Sequence, residues 1–307
     1  MAPTTHQPIF IAGPTAVGKS SLSLELAQRL QGEIISVDSM QVYRGLNIGT
    51  AKPSADERER IPHHLIDHIE LDQTFDVQRF VQQATIKKQE IQERSNTPIY
   101  CGGTGLYFKA LIDGLDSLPP SDEALRKKLE QIPLPELLQE LHELDPVWFE
   151  KIDQKNPRRV VRAIEIIRLT GKPVSAQRTT WKENQPHSTQ PLIVLSRSPE
   201  TLRHRIEARV DNMFADGLVS ETRALLEMGL KENETASRAL GYRQVIEFLD
   251  NVRSLDETIA LVKTKTWQFA RRQSTWFRKQ DNTHWIDLDQ VSFSHQCEAI
   301  LKSIDPS

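Results

Sequence analysis

Cysteine is scarce in this 307-residue chain: Cys101 and Cys297 are the only two. So far apart, they make neither a disulfide framework nor a zinc pattern, and a reducing compartment is expected. No apolar run approaches the length of a membrane span, and residues 1–7 lack the charged-then-apolar layout of a secretion signal. There is no internal repeat and no low-complexity tract. Neither sign of charge dominates, the formal net charge being -3. Overall basicity therefore does not advertise a polyanionic partner, and the distribution of charge matters more than its sum. His63, His64 and His68 lie close together, but no carboxylate or cysteine completes a familiar metal site, so ordinary packing histidines are expected. These absences point to a soluble, cytoplasmic protein with no membrane role, expected to be a monomer. Its length allows one large domain or two smaller ones.

What is present starts with Gly13-Pro14-Thr15-Ala16-Val17-Gly18-Lys19-Ser20, which fits G-x-x-x-x-G-K-[ST]. The context the motif needs is there. Pro8 to Ala12 reads as a short buried strand, and Leu22, Leu26 and Leu30 share one helical face, with Gly32 expected just past the helix end. Strand, glycine loop and helix in that order turn several N–H groups toward a phosphate at the positive end of a helix. Lys19 adds a point charge, and the Ser20 hydroxyl is placed to ligate Mg2+ bridging phosphates. The loop does not say which phosphate compound binds.

Glu33 to Ser39 reads as an apolar strand ending in Asp38, and strand ends beside a phosphate loop open into the ligand crevice of an α/β sheet. Three roles are open to Asp38: holding magnesium, accepting a proton as general base, or capping a turn with no chemistry. Met40 to Pro53 reads as a long functional loop. A helix on Val77, Phe80, Val81, Ala84 and Ile91 then leads to a strand, Thr97 to Cys101, and a second glycine turn, Gly102-Gly103-Thr104-Gly105. That turn places Thr104 at the same sheet edge as the phosphate loop.

Near Leu118-Pro119-Pro120-Ser121 the composition changes, and no strand is expected until Pro191 to Ser196. The domain reading is an α/β core over 1–117 and 191–307 with an all-helical insertion over 118–190. Within the insertion Asn156 is the N-cap, Pro157 the first helical residue and Gly171 the stop of one helix, with Val160, Ala163, Ile164 and Ile167 on one face. Residues 151–182 hold nine Lys or Arg against two acids. Lys263 to Gln280 carries six Lys or Arg and no acid among Trp267, Phe269, Trp276 and Phe277. The charges suit a polyanion, and the aromatics are expected to pack inward.

Taken together, these motifs resemble the bacterial tRNA dimethylallyltransferase family, the tRNA isopentenyltransferases. The likeness is carried by the phosphate loop, Ser36 to Arg44, Gly45 to Pro53 and Gly102 to Tyr107. It extends through Asn156 to Glu165, Gly241-Tyr242-Arg243-Gln244, Arg271-Arg272-Gln273 and Trp276-Phe277-Arg278. The zinc finger of eukaryotic members is absent, which suits a bacterial or organellar form. The resemblance implies a P-loop NTPase-like parallel sheet with an inserted tRNA-binding domain. It also implies transfer of a dimethylallyl group from dimethylallyl diphosphate to N6 of the adenine 3′ of the anticodon, in tRNAs reading codons that begin with U.

On that likeness Asp38 is the base, Thr104 meets the oxygen between carbon and phosphorus, and Arg209 or Arg223 clamps the diphosphate. Ser39, Met40 and Gln41 would hold the adenine, which must leave its stack. Arg126, the run Arg158, Arg159, Val160, Val161, Arg162, and Arg238, Gly241, Tyr242 and Arg243 would meet the anticodon stem-loop. Rivals are a P-loop small-molecule kinase, an NTP-regulated RNA-binding protein, and a relative that prenylates free AMP.

Overall fold

Short runs of Ile, Val and Leu with no polar alternation demand burial on both faces, and they form one parallel sheet. The computed structural model describes residues 7–114, 118–177 and 191–304. Its strands are β1 (Ile9–Ala12), β2 (Gly32–Val37), β3 (His63–His64), β4 (Thr97–Gly102), β5 (Leu192–Ser196) and β6 (Thr283–Asp287). They lie in the order β3-β2-β4-β1-β5-β6, every pair parallel. The carboxyl ends of β1, β2 and β4 thus share one edge, where the phosphate loop, Asp38 and Thr104 follow.

By its internal contacts the chain divides into two units, Met1–Phe108 with Thr189–Ser307, and Lys109–Ser188. Composition alone put the insertion at 118–190. The first unit carries α1 (Lys19–Leu30), α2 (Ala55–Arg60), α3 (Val77–Glu93) and the start of α4 (Gly105–Asp113). The second holds α5 (Glu123–Leu129), α6 (Leu134–Leu144), α7 (Pro146–Phe149), α8 (Pro157–Thr170) and α9 (Val174–Gln177). The chain then returns to the first unit with α10 (Pro199–Ala215), α11 (Leu218–Glu227), a single 3-10 turn at Ala236–Arg238, α12 (Tyr242–Leu249), α13 (Leu255–Phe277) and α14 (Phe293–Ile304).

Leu22, Leu26 and Ala27 of α1 pack onto Ile9, Ile11, Ile34 and Ile99 of the sheet, each buried leucine contributing about 1.5–3 kcal/mol. The end of α1 differs from expectation. Gln31, not a glycine, takes the left-handed conformation at φ 48°, and Gly32 already belongs to β2. A Cβ on Gly32 would lie 2.8 Å from Ile99 Cδ1 and 2.9 Å from the Thr97 carbonyl. Close approach of β4, and not chirality, is what calls for glycine there. Beneath the sheet, Glu33 is buried against Arg94, Asn96 and His64. Burial would raise its pKa, but those hydrogen bonds outweigh it and bring it down to about 2.

In the helical unit α8 starts and stops as its sequence requires. Asn156 accepts from the Arg159 amide, Pro157 opens the helix, and Gly171 ends it at φ 66°. Its buried face, with Val160, Ala163 and Ile164, packs against Leu137 and Leu141 of α6. Glu165 is fully buried there, yet accepts from Arg126 at 2.8 Å, Arg162 at 2.7 Å and the Asp122 amide at 2.8 Å. Burial works against its charge, and these donors more than offset that, holding the carboxyl below the usual range.

Candidate active site

Three cavities that share lining residues open at the carboxyl edge of the sheet. A groove of about 900 Å³ runs from Lys19 and Ser20 of α1 past Lys52 and Arg58 to Arg205 and Arg209 of α10. An inner pocket of about 100 Å³ shares Lys19, Ser20 and Arg209 with it, and adds Thr15, Asp38 and Cys101. A third cavity, about 300 Å³, shares Thr15, Asp38, Thr50, Arg209 and Phe269 with the inner pocket and adds Ser39, Met40, Thr104, Gly241 and Arg272. Arg209 lines all three.

The phosphate loop is held from behind. Arg205 Nε donates to the Ala16 carbonyl and Arg197 Nε to the Val17 carbonyl, both at 2.8 Å. Arg197 is itself fixed by Asp289 at 2.6 Å. The Thr15 amide is engaged by Gln273 Oε1 at 2.9 Å, while Gln273 Nε2 donates to the Gly103 carbonyl at 2.9 Å. One buried amide thus ties the two glycine turns together, a role spacing could not reveal because its partners are so remote in sequence. The first-turn amides of α1, from Gly18 to Ser20, have no intrahelical acceptor and remain for an anion. The side chains of Pro14 and Val17 are buried, and their carbonyls accept from Lys19 and Arg197.

Lys19 Nζ donates to the carbonyls of Gly13 and Pro14, at 2.9 and 2.8 Å. Burial brings its pKa down to about 8, with Cys101 and Asp38 pulling the other way and Arg209 adding to the fall. Burial likewise lowers the pKa of Arg209, and the facing Asp38 carboxylate counters it. Between the two arginines considered for the clamp, the geometry separates them. Arg209 stands among Lys19, Asp38 and Thr15, whereas Arg223 is exposed on α11 and lines none of the three cavities.

Asp38 follows the last residue of β2. Its Oδ1 accepts from the amides of Met40 at 2.8 Å and Gln41 at 3.2 Å, which makes the turn-capping reading true of that oxygen. Among the described residues Oδ2 has no hydrogen-bond partner, and the side chain lines two cavities. Thr104 donates its amide to the Val37 carbonyl at 3.2 Å, and its own carbonyl accepts from Tyr107 and Phe108 at the start of α4. That fixes its side chain in the third cavity with Asp38, Ser39 and Met40.

Several expected contact residues are placed otherwise. Gln41 is already engaged inside the protein: its oxygen accepts from Ser36 Oγ at 2.8 Å and its nitrogen donates to the Thr50 carbonyl at 3.1 Å. Tyr242 is fully buried; its hydroxyl accepts from the Gly49 amide at 3.0 Å and donates to Glu221. Burial and that carboxylate raise its pKa well above the ordinary phenol value. Val160 and Val161 are buried in the helical unit, so their side chains do not face a nucleic acid. Arg158 and Arg159 are exposed, while Arg126 and Arg162 are partly exposed on Glu165.

Arg238 and Gly241 line the third cavity, and Arg243 is exposed beside Glu247 at 3.1 Å. The aromatics of α13 divide. Phe277 is buried and Trp276 lies against Gly105, but Phe269 opens into the inner pocket and the third cavity, against the inward packing expected of it. His64 bonds Glu33 at 2.6 Å and His68 meets Phe75 edge-on, while His63 borders the inner pocket.

A family model described as IPP transferase matches residues 41–280. The chain belongs to the IPP transferase family. Within it, the chain is 42% identical to the tRNA dimethylallyltransferase of Acetivibrio thermocellus over 301 residues, which covers 96% of this chain and 95% of that one. It is 43% identical to the tRNA dimethylallyltransferase of Carboxydothermus hydrogenoformans over 298 residues, covering 95% and 96%. The solved tRNA isopentenylpyrophosphate transferase of Bacillus halodurans superposes with a TM-score of 0.72 at 37% identity, covering 98% of each chain. A eukaryotic dimethylallyltransferase, captured acting on tRNA, superposes at 0.83 with 30% identity, covering 98% of this chain and 79% of its own. As an IPP transferase, this chain carries its phosphate loop and Asp38 ahead of the matched stretch, and Thr104, Arg209 and Gln273 within it. Among the described residues no helix is long and apolar enough to cross a membrane.

Proposed function

We propose that the protein transfers a dimethylallyl group from dimethylallyl diphosphate to N6 of the adenine 3′ of the anticodon, in tRNAs reading codons that begin with U. The observation that carries this reading is the meeting of Lys19, Arg209, Thr15 and Asp38 on the lining of the inner pocket. A phosphate cradle beside an unpaired carboxylate oxygen suits the departure of an anion and the removal of a proton in one place.

An allylic carbon bound to diphosphate is a good electrophile once the leaving charge is met. Lys19, Arg209 and the amides at the start of α1 would meet it, which is stabilisation aimed where charge develops. Thr104 would donate to the bridging oxygen as the carbon–oxygen bond breaks. The N6 lone pair of adenine is delocalised into the ring, so the amine becomes nucleophilic only as its proton leaves. Asp38 Oδ2 would take that proton while Oδ1 stays pinned by the two amides. Ser39 and Met40 would border the flipped base.

The donor set fits magnesium. Ser20 offers an exposed hydroxyl facing both groove and inner pocket, and among the described residues no cluster of three His, Cys, Asp or Glu competes for a metal. An ion held by Ser20, substrate oxygens and water would neutralise diphosphate charge. Arg126, Arg158, Arg159 and Arg162 of the helical unit, with Arg238 and Arg243 of the first, would hold the anticodon stem-loop, and the catalytic unit is taken as a monomer. The test offers labelled dimethylallyl diphosphate to the protein with tRNA, AMP or a small kinase acceptor plus ATP. Label on tRNA adenine is expected; label on AMP alone, or ADP formation without prenyl transfer, would refute the reading.

A further inference from the structure

The irregular segment 45–53 borders every cavity described: Lys52 and Pro53 the groove, Ala51 the inner pocket, Gly49 and Thr50 the third cavity. Its own hydrogen bonds are short-range, Ala51 N to Ile48 O at 3.0 Å and Lys52 N to Asn47 O at 3.1 Å. Turns of this kind do not set their own position, so attachment from outside must do so. Gln41 supplies one attachment, donating to the Thr50 and Ala51 carbonyls while its amide bonds Asp38 Oδ1. Lys52 supplies a second, its Nζ donating to Asp67 Oδ1 and to the Tyr43 carbonyl, both at 2.6 Å, and a third comes from the C-terminal helices. Ile48 N donates to both Glu221 carboxylate oxygens at 2.9 and 3.1 Å, and the next amide, Gly49 N, donates to Tyr242 Oη at 3.0 Å. Tyr242 Oη closes the triangle by donating to Glu221 Oε1 at 2.5 Å.

Packing repeats what the hydrogen bonds indicate. A Cβ on Gly49 would lie 2.4 Å from the Tyr242 ring, so the ring and this peptide are in direct contact. Tyr242 also directly follows Ala239, Leu240 and Gly241, which line the same third cavity as Gly49 and Thr50. One hydroxyl therefore joins two segments of that cavity's wall. Through Gln41, a shift at Ile48 or Gly49 reaches the turn that carries Asp38.

We propose that Tyr242, clasped by Glu221, is a positioning residue that sets the spacing between 47–51 and 238–241 and thereby aligns the acceptor base with Asp38. This rests on the prenyl-transfer reading. It assigns to Tyr242 an action from inside the wall and gives Glu221 its first role in the reaction. Phenylalanine would fill the same volume, but would leave the Gly49 amide without an acceptor and Glu221 with the Ile48 amide in place of two donors.

The test compares Tyr242→Phe, Glu221→Ala and Glu221→Gln with the natural protein. It measures kcat and KM for dimethylallyl diphosphate and for an anticodon hairpin, together with amide exchange over 47–51 and thermal unfolding. Tyr242→Phe is expected to lower kcat about tenfold and speed exchange by a similar factor, as for one lost charge-assisted bond. KM for the diphosphate should hold within about twofold, since the phosphate loop is untouched. Glu221→Gln keeps an acceptor and should retain more activity than Glu221→Ala. The Tyr242→Phe, Glu221→Ala double variant should be little worse than the worse single one.

A raised KM for the hairpin with unchanged kcat and unchanged exchange would make Tyr242 a plain RNA contact and overturn the proposal. So would a lower Tm with ordinary kinetics. If the natural protein leaves the hairpin unlabelled, the prenyl-transfer reading fails and the catalytic part of this proposal with it; exchange at 47–51 then reports on the clasp alone.

Discussion

Gln273→Glu would show whether the phosphate loop depends on its tie to the second glycine turn. The natural amide accepts from Thr15 N and donates to Gly103 O, both at 2.9 Å, with the residue almost entirely buried. Glutamate keeps the shape and the acceptor for Thr15. It removes the donor to Gly103, turns a carboxylate oxygen toward a carbonyl, and adds a negative charge to the lining of the inner pocket. An unmet buried acceptor costs about 1–3 kcal/mol. Like charges brought close in such a pocket repel by several kcal/mol, about 4 kcal/mol at a spacing of about 4 Å and an effective dielectric constant of about 20.

Donor binding should therefore weaken by at least about a hundredfold, whereas the free protein loses only the hydrogen-bond part. Initial rates with varied dimethylallyl diphosphate at saturating RNA would read the effect, and calorimetry with inorganic diphosphate would check it. Gln273→Leu, which lacks both bonds and adds no charge, separates the two contributions. If Gln273→Glu bound diphosphate as tightly as the natural protein, the inner pocket would not be where the donor's phosphates sit.

Three further outcomes are expected. Asp38→Asn retains an oxygen for the Met40 and Gln41 amides, so diphosphate affinity should hold while kcat drops about 10²–10⁴-fold; near-normal turnover in single-turnover assays would remove Asp38 as the base. Lys19 in the free protein titrates near pH 8, depressed from its ordinary value. Above pH 8 it loses its proton and diphosphate affinity should fall, while stability of the free protein should rise between about pH 8 and 10.5, where the unfolded chain binds more protons. Calorimetric titrations and thermal melts across that range would check both signs. Glu165→Gln should loosen Arg126 and Arg162, weakening hairpin binding several-fold by anisotropy and the helical unit by about 1–3 kcal/mol; unchanged RNA affinity would confine Glu165 to folding.

Much of this architecture could be read from local pattern. The phosphate loop between an apolar strand and an amphipathic helix, and the Asn156, Pro157 and Gly171 frame of α8, each depend on neighbours a few residues away. What escaped depends on where a side chain points. Gln41 and Tyr242 sit in motifs that resemble RNA contacts, but each is satisfied inside the protein, and a motif does not record which partner a polar group finds. Val160 and Val161 share a helix with exposed arginines, and their burial follows from its face and not from the company they keep. Phe269 erred in the other direction, since an aromatic at helical spacing looks like core until the adjoining cavity is seen. Gln273 was unreadable for a different reason, being 258 residues from the amide it holds.

That separation bears on how the polypeptide is made. The ribosome releases the loop around Lys19 well before α13, with the whole helical unit emerging between them. Until Gln273 is outside the exit tunnel, the Thr15 amide has no acceptor and the cradle is unfinished. A ligand that stabilises the cradle can thus reward only chains that extend through Gln273, and shorter fragments from stalled translation would find no shelter in it.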